Sequence, residues 1–171
     1  MKKYEFTGET KEIRLLFRTA TLHRIRATVA FGIVEVGDLG GWIEKEENLS
    51  HEGKAWVWGN AEVWGNAEVC GDAEVWGNAK VCGDAEVFSA SHVLVIGAIG
   101  SRNDFTTFYR DKDNEITVKC GCFLGKIDRF LEKVTQTHGD SKYALVYRAA
   151  VEVAKLQIDL SGEAPKDADE E

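Results

Sequence analysis

The chain between residues 57 and 93 repeats a six-residue pattern, in which a valine returns at every sixth position and a small residue lies four positions after it. Six helical residues rotate by about 600°, so the valines would spiral around a helix instead of forming one stripe. Within each unit apolar and polar positions alternate, as in a short strand, and Gly-Asn or Gly-Asp follows as a turn. A unit this short cannot bury its own apolar side, so the pattern predicts stacked units with valine and alanine inside. The predicted inward positions are Val57, Val63, Val69, Val75, Val81, Val87, Val93, Ala61, Ala67, Ala73, Ala79, Ala85 and Ser91.

The segments beside the repeat have ordinary strand and helix patterns. Before it, "KYEFTG", "RLLFRTA" and "LHRIRATVAF" predict strands that cover the open end of the stack. After it, "DFTTFYR" and "ITVKCGCF" flank the turn formers "DKDN" and predict a β-hairpin. Two amphipathic helices follow. Their predicted buried faces are Ile127, Phe130, Leu131 and Val134 in the first helix, and Tyr143, Val146, Tyr147, Ala150, Val153 and Ala154 in the second.

The repeat resembles that of the hexapeptide-repeat, left-handed β-helix family over residues 51–99. In that family three units complete one coil, which implies that Trp58 lies over Trp76 and Trp64 over Cys82. The expected fold is mainly β: a short left-handed parallel β-helix with an N-terminal β cap and a small C-terminal α+β appendage. The expected segments are a cap at 1–50, the β-helix at 51–99, an α+β domain at 100–160 and an acidic disordered tail at 161–171.

Net charge limits the classes of partner. The formal charge of the chain is −8, and residues 51–100 carry two basic against seven acidic side chains. General binding to DNA or RNA needs a basic face, so the composition argues against it. The sequence has no apolar run of about 18 residues and no apolar signal-peptide core at its start, which predicts a cytoplasmic protein without a membrane partner.

The cysteines and histidines do not form a recognisable chemical site. The four cysteines include no C-x-x-C pair, so free thiols are favoured over disulfides or zinc, and no metal or cofactor is expected. The hexapeptide-repeat resemblance raises one enzymatic alternative, an acyl-CoA-dependent acyltransferase with a histidine as general base. None of the four histidines lies in a loop extruded from the repeat, so no catalytic residue is assigned. They are His23, His51, His92 and His138.

Longer stretches resemble a family of bacteriophage and prophage proteins that keep both ends and vary the number of repeats. These stretches are "TLHRIRA", "GDLGGWIEKEENLSHEG", "IGSRNDFTTFYRDKD", "KCGCFLGKIDRFLEKV" and "THGDSKYALVYRAAVEVAKL". The resemblance covers nearly the whole chain and implies the cytoplasm of an infected or lysogenic bacterial host. It implies no particular activity.

A candidate anion site follows the last repeat unit. Two glycines allow close backbone approach there, and arginine, lysine and hydroxyl groups can bind phosphate oxygens. The alternative is a tight turn in which Arg102 pairs with Asp104. The candidate ligand residues are Ser101, Arg102, Thr106, Thr107, Tyr109 and Lys119.

These features predict a non-catalytic phage protein that sequesters a small anion, such as a nucleotide messenger of bacterial immunity, and so acts against host defence. A second alternative is a structural module for oligomerisation or host-protein binding. Outward tryptophans on the repeat favour a homo-oligomer, a trimer, because a large wet aromatic surface is costly. The predicted interface residues are Trp58, Trp64 and Trp76.

Overall fold

The computed structural model describes residues 1–161 of the chain. The segment predicted as a disordered tail therefore lies outside the described residues, apart from Ser161. The described part is mainly β, with a pair of helices at its C-terminal end.

The first 43 residues form three antiparallel strands, β1 (Tyr4–Arg14), β2 (Thr19–Ala27) and β3 (Leu39–Ile43). A tight turn joins β1 to β2, and in it the Leu15 amide donates to the Arg18 carbonyl over 2.8 Å. The sequence pattern predicted a strand over "RLLFRTA", but the structure places this turn in its middle. The two arginines of the segment therefore lie at the tip of a long hairpin.

Each repeat unit contributes a strand of only two residues. These strands are β4 (Trp56–Val57), β5 (Glu62–Val63), β6 (Glu68–Val69), β7 (Glu74–Val75), β8 (Lys80–Val81) and β9 (Glu86–Val87). They pair in parallel with the strand three units later, so that Val57, for example, lies beside Val75. Glycines with positive φ turn the chain between strands, as at Gly59 (φ 55°) and Gly77 (φ 64°).

The predicted fold class, a short left-handed parallel β-helix with a separate cap and appendage, is wrong. The repeat strands are distributed over three separate sheets, none of which closes: a five-stranded sheet in the order β1-β2-β3-β5-β8, and the two-stranded pairs β4-β7 and β6-β9. Two-residue strands in six units are too short and too few to build a regular coil. In addition, β3 pairs in parallel with β5, joining Trp42 to Glu62, so the N-terminal strands continue a repeat sheet.

The inward prediction is confirmed in this different architecture from Val57 to Val87, whereas Ser91 and Val93 at the end of the repeat are only partly buried. The valines from Val57 to Val87 are at most 1% exposed, and the intervening alanines are equally buried. They share one core with Tyr4, Ile25 and Ile43 of the N-terminal strands. Burying one valine contributes about 1.5–3 kcal/mol, so this core is a main source of stability.

The predicted hairpin is confirmed and belongs to a four-stranded antiparallel sheet. Its strands are β10 (Val93–Ile99), β11 (Asp104–Arg110), β12 (Ile116–Cys120) and β13 (Phe123–Lys126). Successive residues of β11 face opposite sides, since Tyr109 packs into the repeat core while Phe108 packs against the helices. This sheet is therefore the middle layer between the repeat and the helical pair.

The two predicted helices are α1 (Ile127–His138) and α2 (Lys142–Gln157), and α1 ends at Gly139 with φ 57°. Within α2 the buried residues include Tyr147, Ala150 and Ala154, as predicted, but Tyr143 (41% exposed) and Val153 (47%) face outward. Among residues 1–161, neither helix is long and apolar enough to cross a bilayer.

Candidate functional site

A cavity of about 900 Å³ lies between the tip of the β1–β2 hairpin and the strands β8 and β12. We call it the basic groove. The hairpin tip, residues 13–18, forms one wall, and the turn after β12 forms the opposite wall. Its other lining residues that matter here are Glu62, Trp64, Lys80, Cys82, Lys119 and Leu124.

The hairpin tip exposes apolar side chains at the mouth of the groove. Leu16 is 88% exposed and Phe17 is 93% exposed, while Arg14 and Arg18 flank them. The turn produces this arrangement because the strand pairing ends at Arg14 and Thr19, so the residues between them have no strand partner. The tip thus offers a ligand both apolar contact and positive charge.

Three cations of the groove have no carboxylate partner among the described residues. They are Arg14, Lys80 and Lys119. The acidic lining residue Glu62 is already neutralised by Lys11, 2.7 Å away, and Arg18 forms an ion pair with Glu44. The groove is therefore locally positive in a chain whose net charge is −8.

Burial is the main cause of the perturbed electrostatics of Lys119. Burial lowers its pKa, and the nearby ammonium of Lys80 lowers it further. The Lys119 Nζ donates to the carbonyl of Gly121, which carries no formal charge. An anion bound beside these two lysines would stabilise their charged forms.

The floor of the groove is rigid and chemically inert. Trp64 and Cys82 pack together with Leu22 of the N-terminal sheet, and both are nearly inaccessible to solvent. Burial raises the pKa of the Cys82 thiol, whose Sγ lies 3.6 Å from the Tyr109 hydroxyl. A protonated, buried thiol is a poor nucleophile, so this cysteine supports packing and not catalysis.

A second, smaller cavity of about 230 Å³ lies on the helix side of the β12–β13 turn. Gly121 and Cys122 line both cavities, so the two are neighbours. Arg102 lies over this turn, since a Cβ built on Gly121 would be 2.7 Å from the Arg102 Nη1. Its walls are mainly apolar, with Phe105 and Phe130 among them.

The structure divides the six predicted ligand residues. Ser101, Arg102 and Thr106 line the smaller cavity, and Lys119 lines the basic groove. The side chains of Thr107 and Tyr109 are buried and bonded internally, and Thr106, 1% exposed, is buried as well. The division follows from the alternation of strand residues, which sends Thr106 and Thr107 to opposite faces of the sheet.

Those internal bonds fix strand β11 to the repeat. The Thr107 hydroxyl accepts from the Lys80 amide over 3.0 Å, and the Tyr109 hydroxyl donates to the Cys82 carbonyl over 2.9 Å. Burial raises the pKa of Tyr109 well above its usual value. These two residues position the groove and have no surface with which to contact a ligand.

Sequence reasoning missed Arg14 and Lys80, although each leaves a signal. Lys80 stands where four other units carry glutamate: Glu62, Glu68, Glu74 and Glu86. The reversal of charge at one unit of a uniform repeat is the signal at Lys80, which lines the groove beside Glu62. For Arg14 the signal is "RLLFR", in which three consecutive apolar residues break strand alternation and indicate a turn.

The predicted interface tryptophans have unequal exposure. Trp64 is 5% exposed and forms the groove floor. Trp58 stacks on Trp76 with ring centroids 4.5 Å apart and an interplanar angle of 5°. Trp76 is 45% exposed, so it alone of the three offers a large free aromatic surface. The aromatic surface is smaller than the sequence pattern suggested.

The histidines occupy structural positions. His51 accepts from the Lys3 amide and stacks on Tyr4, and His92 accepts from the Phe88 amide. His23 stacks on Phe6, and His138 stacks on Tyr147 at the end of α1. Within residues 1–161 no group of three or more His, Cys, Asp or Glu side chains is arranged to hold a metal ion. The cysteines are free thiols, as predicted.

No protein-family model and no curated protein matches this chain.

Proposed function

We propose that this protein binds a small anionic ligand in the basic groove without transforming it. The observation that carries the proposal is the set of three cations without carboxylate partners, Arg14, Lys80 and Lys119, around a cavity of about 900 Å³. Charges of one sign along a concave surface raise the local concentration of ions of the opposite sign. This volume lies in the usual range of small-molecule sites, about 300–1,000 Å³.

A nucleotide is the ligand class that best matches the lining. Arg14 can present two parallel donors to a phosphate, and Lys119 adds a point charge. Phe17, 93% exposed at the mouth, can cover a base. By analogy with the phage setting that the resemblance implies, the nucleotide is a messenger of bacterial immunity, which the protein would withdraw from its receptor.

Binding without turnover fits the chemistry of the lining. The lining contains no histidine, serine or threonine, and its one carboxylate, Glu62, is paired with Lys11. The buried thiol of Cys82 has a raised pKa. General acid–base catalysis and nucleophilic attack both need a group with accessible protons or lone pairs at the ligand. Apart from the exposed free thiol of Cys122, this lining holds such groups only as cations.

The test is calorimetric titration of the full chain with inorganic phosphate, adenosine monophosphate and a cyclic dinucleotide. Lys119→Ala and Arg14→Ala should each lower the affinity for the nucleotide about tenfold to a hundredfold, because each removes a charge-assisted hydrogen bond. Lys54→Ala, which removes an exposed lysine outside the groove, should bind as the wild type does.

Two outcomes would contradict the proposal. Full affinity in both groove variants, with loss of affinity in Arg102→Ala, would place the ligand in the smaller cavity. The absence of binding to every nucleotide and to phosphate would remove the anion function altogether.

The pH dependence provides an independent check. The pKa of Lys119 is lowered in the folded protein, so this lysine loses its charge at a lower pH than an ordinary lysine does. Affinity for the anion should therefore fall as the pH rises into the alkaline range, and binding should be accompanied by proton uptake there. In Lys119→Ala this part of the pH dependence should disappear.

A further inference from the structure

The chain continues beyond the described residues with a strongly acidic stretch, residues 162–171, which we call the acidic segment. Lys166 is its one basic residue, so its five carboxylates leave it with a formal charge of −4. Most of this charge is concentrated between residues 167 and 171. The acidic residues of the segment are Glu163, Asp167, Asp169, Glu170 and Glu171.

The acidic segment leaves the described structure beside the turn between β11 and β12. The side-chain amide of Asn114 donates to the Leu160 carbonyl over 2.8 Å, and the Asp159 amide donates to the Ser91 carbonyl over 3.0 Å. These hydrogen bonds hold the chain at the end of the C-terminal sheet from which β12 runs toward the basic groove. Lys119 of the groove lies on β12, five residues after Asn114.

The length of the acidic segment is sufficient to reach the groove. A strand rises about 3.3 Å per residue, so Lys119 lies about 17 Å from Asn114 along β12. An extended chain spans about 3.3–3.6 Å per residue, which lets Asp167 lie up to about 20 Å from Ser161, the last described residue, and Glu171 up to about 35 Å from it. The distance to Lys119 is therefore within the reach of the clustered carboxylates.

The charges of the groove complement those of the acidic segment. Arg14, Lys80 and Lys119 line the groove and have no carboxylate partner among the described residues. The two lysines beside the β11–β12 turn are instead already paired, since Lys112 forms an ion pair with an aspartate at 3.0 Å and Lys126 does so at 2.7 Å. The groove therefore offers the acidic segment free cations, which these two lysines do not.

We propose that the acidic segment occupies the basic groove when no ligand is bound, with carboxylates of residues 167–171 beside Lys80 and Lys119. Because the segment belongs to the same chain, its effective concentration at the groove is in the millimolar range. Exposed ion pairs are individually weak, so a ligand that carries phosphate groups displaces the segment. The segment is thus a tethered competitor that sets the threshold concentration for ligand binding. Its effect on the ligand rests on the proposed function, whereas the contact itself does not.

The first test is carbodiimide cross-linking of the full chain at low protein concentration, because this reagent joins a carboxylate to a lysine only where the two are in direct contact. Mass spectrometry of the monomer should find residues 167–171 joined to Lys80 or Lys119. Lys54, which is exposed outside the groove, is the internal control and should remain unlinked. Inorganic phosphate at a saturating concentration should reduce the groove cross-links, because it competes for the same cations.

The second test is calorimetric titration of two full-length variants with inorganic phosphate and adenosine monophosphate. The first variant removes four charges from the acidic segment by Asp167→Asn, Asp169→Asn, Glu170→Gln and Glu171→Gln. It should bind both anions about threefold to tenfold more tightly than the wild type, which corresponds to a segment that fills the groove about 70–90% of the time. The control variant makes the same change in net charge at exposed carboxylates of the helical pair and should bind as the wild type does. Its substitutions are Asp128→Asn, Glu132→Gln, Asp140→Asn and Glu152→Gln.

The two tests separate this proposal from the anion function. Cross-links that reach Lys112 or Lys54 but neither groove lysine overturn the proposal, and so does the absence of any cross-link from the segment. Equal affinities in the wild type and the segment variant refute the competition, as do equal gains in both variants, which would show an effect of net charge alone. Groove cross-links in a protein that binds neither anion would support the contact and remove the anion function.

Discussion

Replacing Tyr109 by phenylalanine should destabilise the protein without changing its affinity for an anion. Tyr109 is fully buried, and its hydroxyl donates to the Cys82 carbonyl over 2.9 Å. This bond ties strand β11 to the repeat unit that forms the groove floor. Phenylalanine keeps the ring and its packing, so the substitution removes the hydroxyl alone.

The magnitude follows from what the substitution leaves behind. Cys82 is 1% exposed, so its carbonyl has no access to bulk water after the tyrosine hydroxyl is gone. Leaving a buried acceptor without its donor costs about 1–3 kcal/mol. For a chain of this length each kcal/mol lowers the melting temperature by about 2–4 °C, so we expect a decrease of about 2–12 °C.

Differential scanning calorimetry and chemical denaturation measure the loss, and calorimetric titration with the nucleotide measures binding. Tyr143→Phe is the matched control, because Tyr143 is 41% exposed on α2 and its hydroxyl has no hydrogen bond within the described structure. It should melt as the wild type does. An unchanged melting temperature in Tyr109→Phe would refute the structural role of this hydroxyl. Lost affinity with full stability would show that Tyr109 contacts the ligand.

Two further predictions concern stability. Val75→Asp should prevent folding, because Val75 is 0% exposed in the repeat core and an unpaired charge there costs several kcal/mol. Circular dichroism and solubility measure the loss of folding. A soluble variant with an unchanged melting temperature would disprove the inward assignment of Val75. Asp111→Asn should lower the free energy of unfolding at pH 7 by about 1–3 kcal/mol. The variant should then lose less stability than the wild type when the pH falls below about 4. Burial raises the pKa of Asp111, but hydrogen bonds from Lys126 and Thr117 outweigh burial and hold the pKa below its usual value. The carboxylate therefore stabilises the fold above about pH 4, and this contribution is lost on acidification. Urea denaturation at pH 7 and pH 3 measures both effects, with Asp113→Asn as the more exposed control; equal acid sensitivity in Asp111→Asn and the wild type would contradict the assignment.

The local structure of this protein was largely predictable from the order of its residues. Valine at every sixth position identified the buried side of the repeat, because burial depends on where apolar side chains recur along a strand. Turn formers around residue 113 identified the hairpin, and the spacing of Phe130 and Val134 identified α1. Each of these inferences depends on neighbours within a few positions.

The arrangement of the sheets depended on contacts between distant parts of the chain. β3 took the position beside β5, so the N-terminal strands extended a repeat sheet and the regular coil predicted from the repeat did not form. The repeat strands pair with the strand three units later, but the six-residue period does not specify which of them β3 joins. The overall architecture therefore could not be read from the repeat alone.

The candidate site shows the same limit. Lys119 was identified from the sequence. Thr107 and Tyr109 are instead buried and form hydrogen bonds between layers. Arg14, which also lines the groove, lies more than 100 residues earlier in the chain. The sequence by itself determined the inward side of the repeat, the C-terminal hairpin and the two helices, since alternation and helical spacing are local properties of the backbone. The tertiary structure alone decided that the hairpin tip meets the β12–β13 turn, because that meeting depends on the packing of three layers and no short stretch of sequence encodes it.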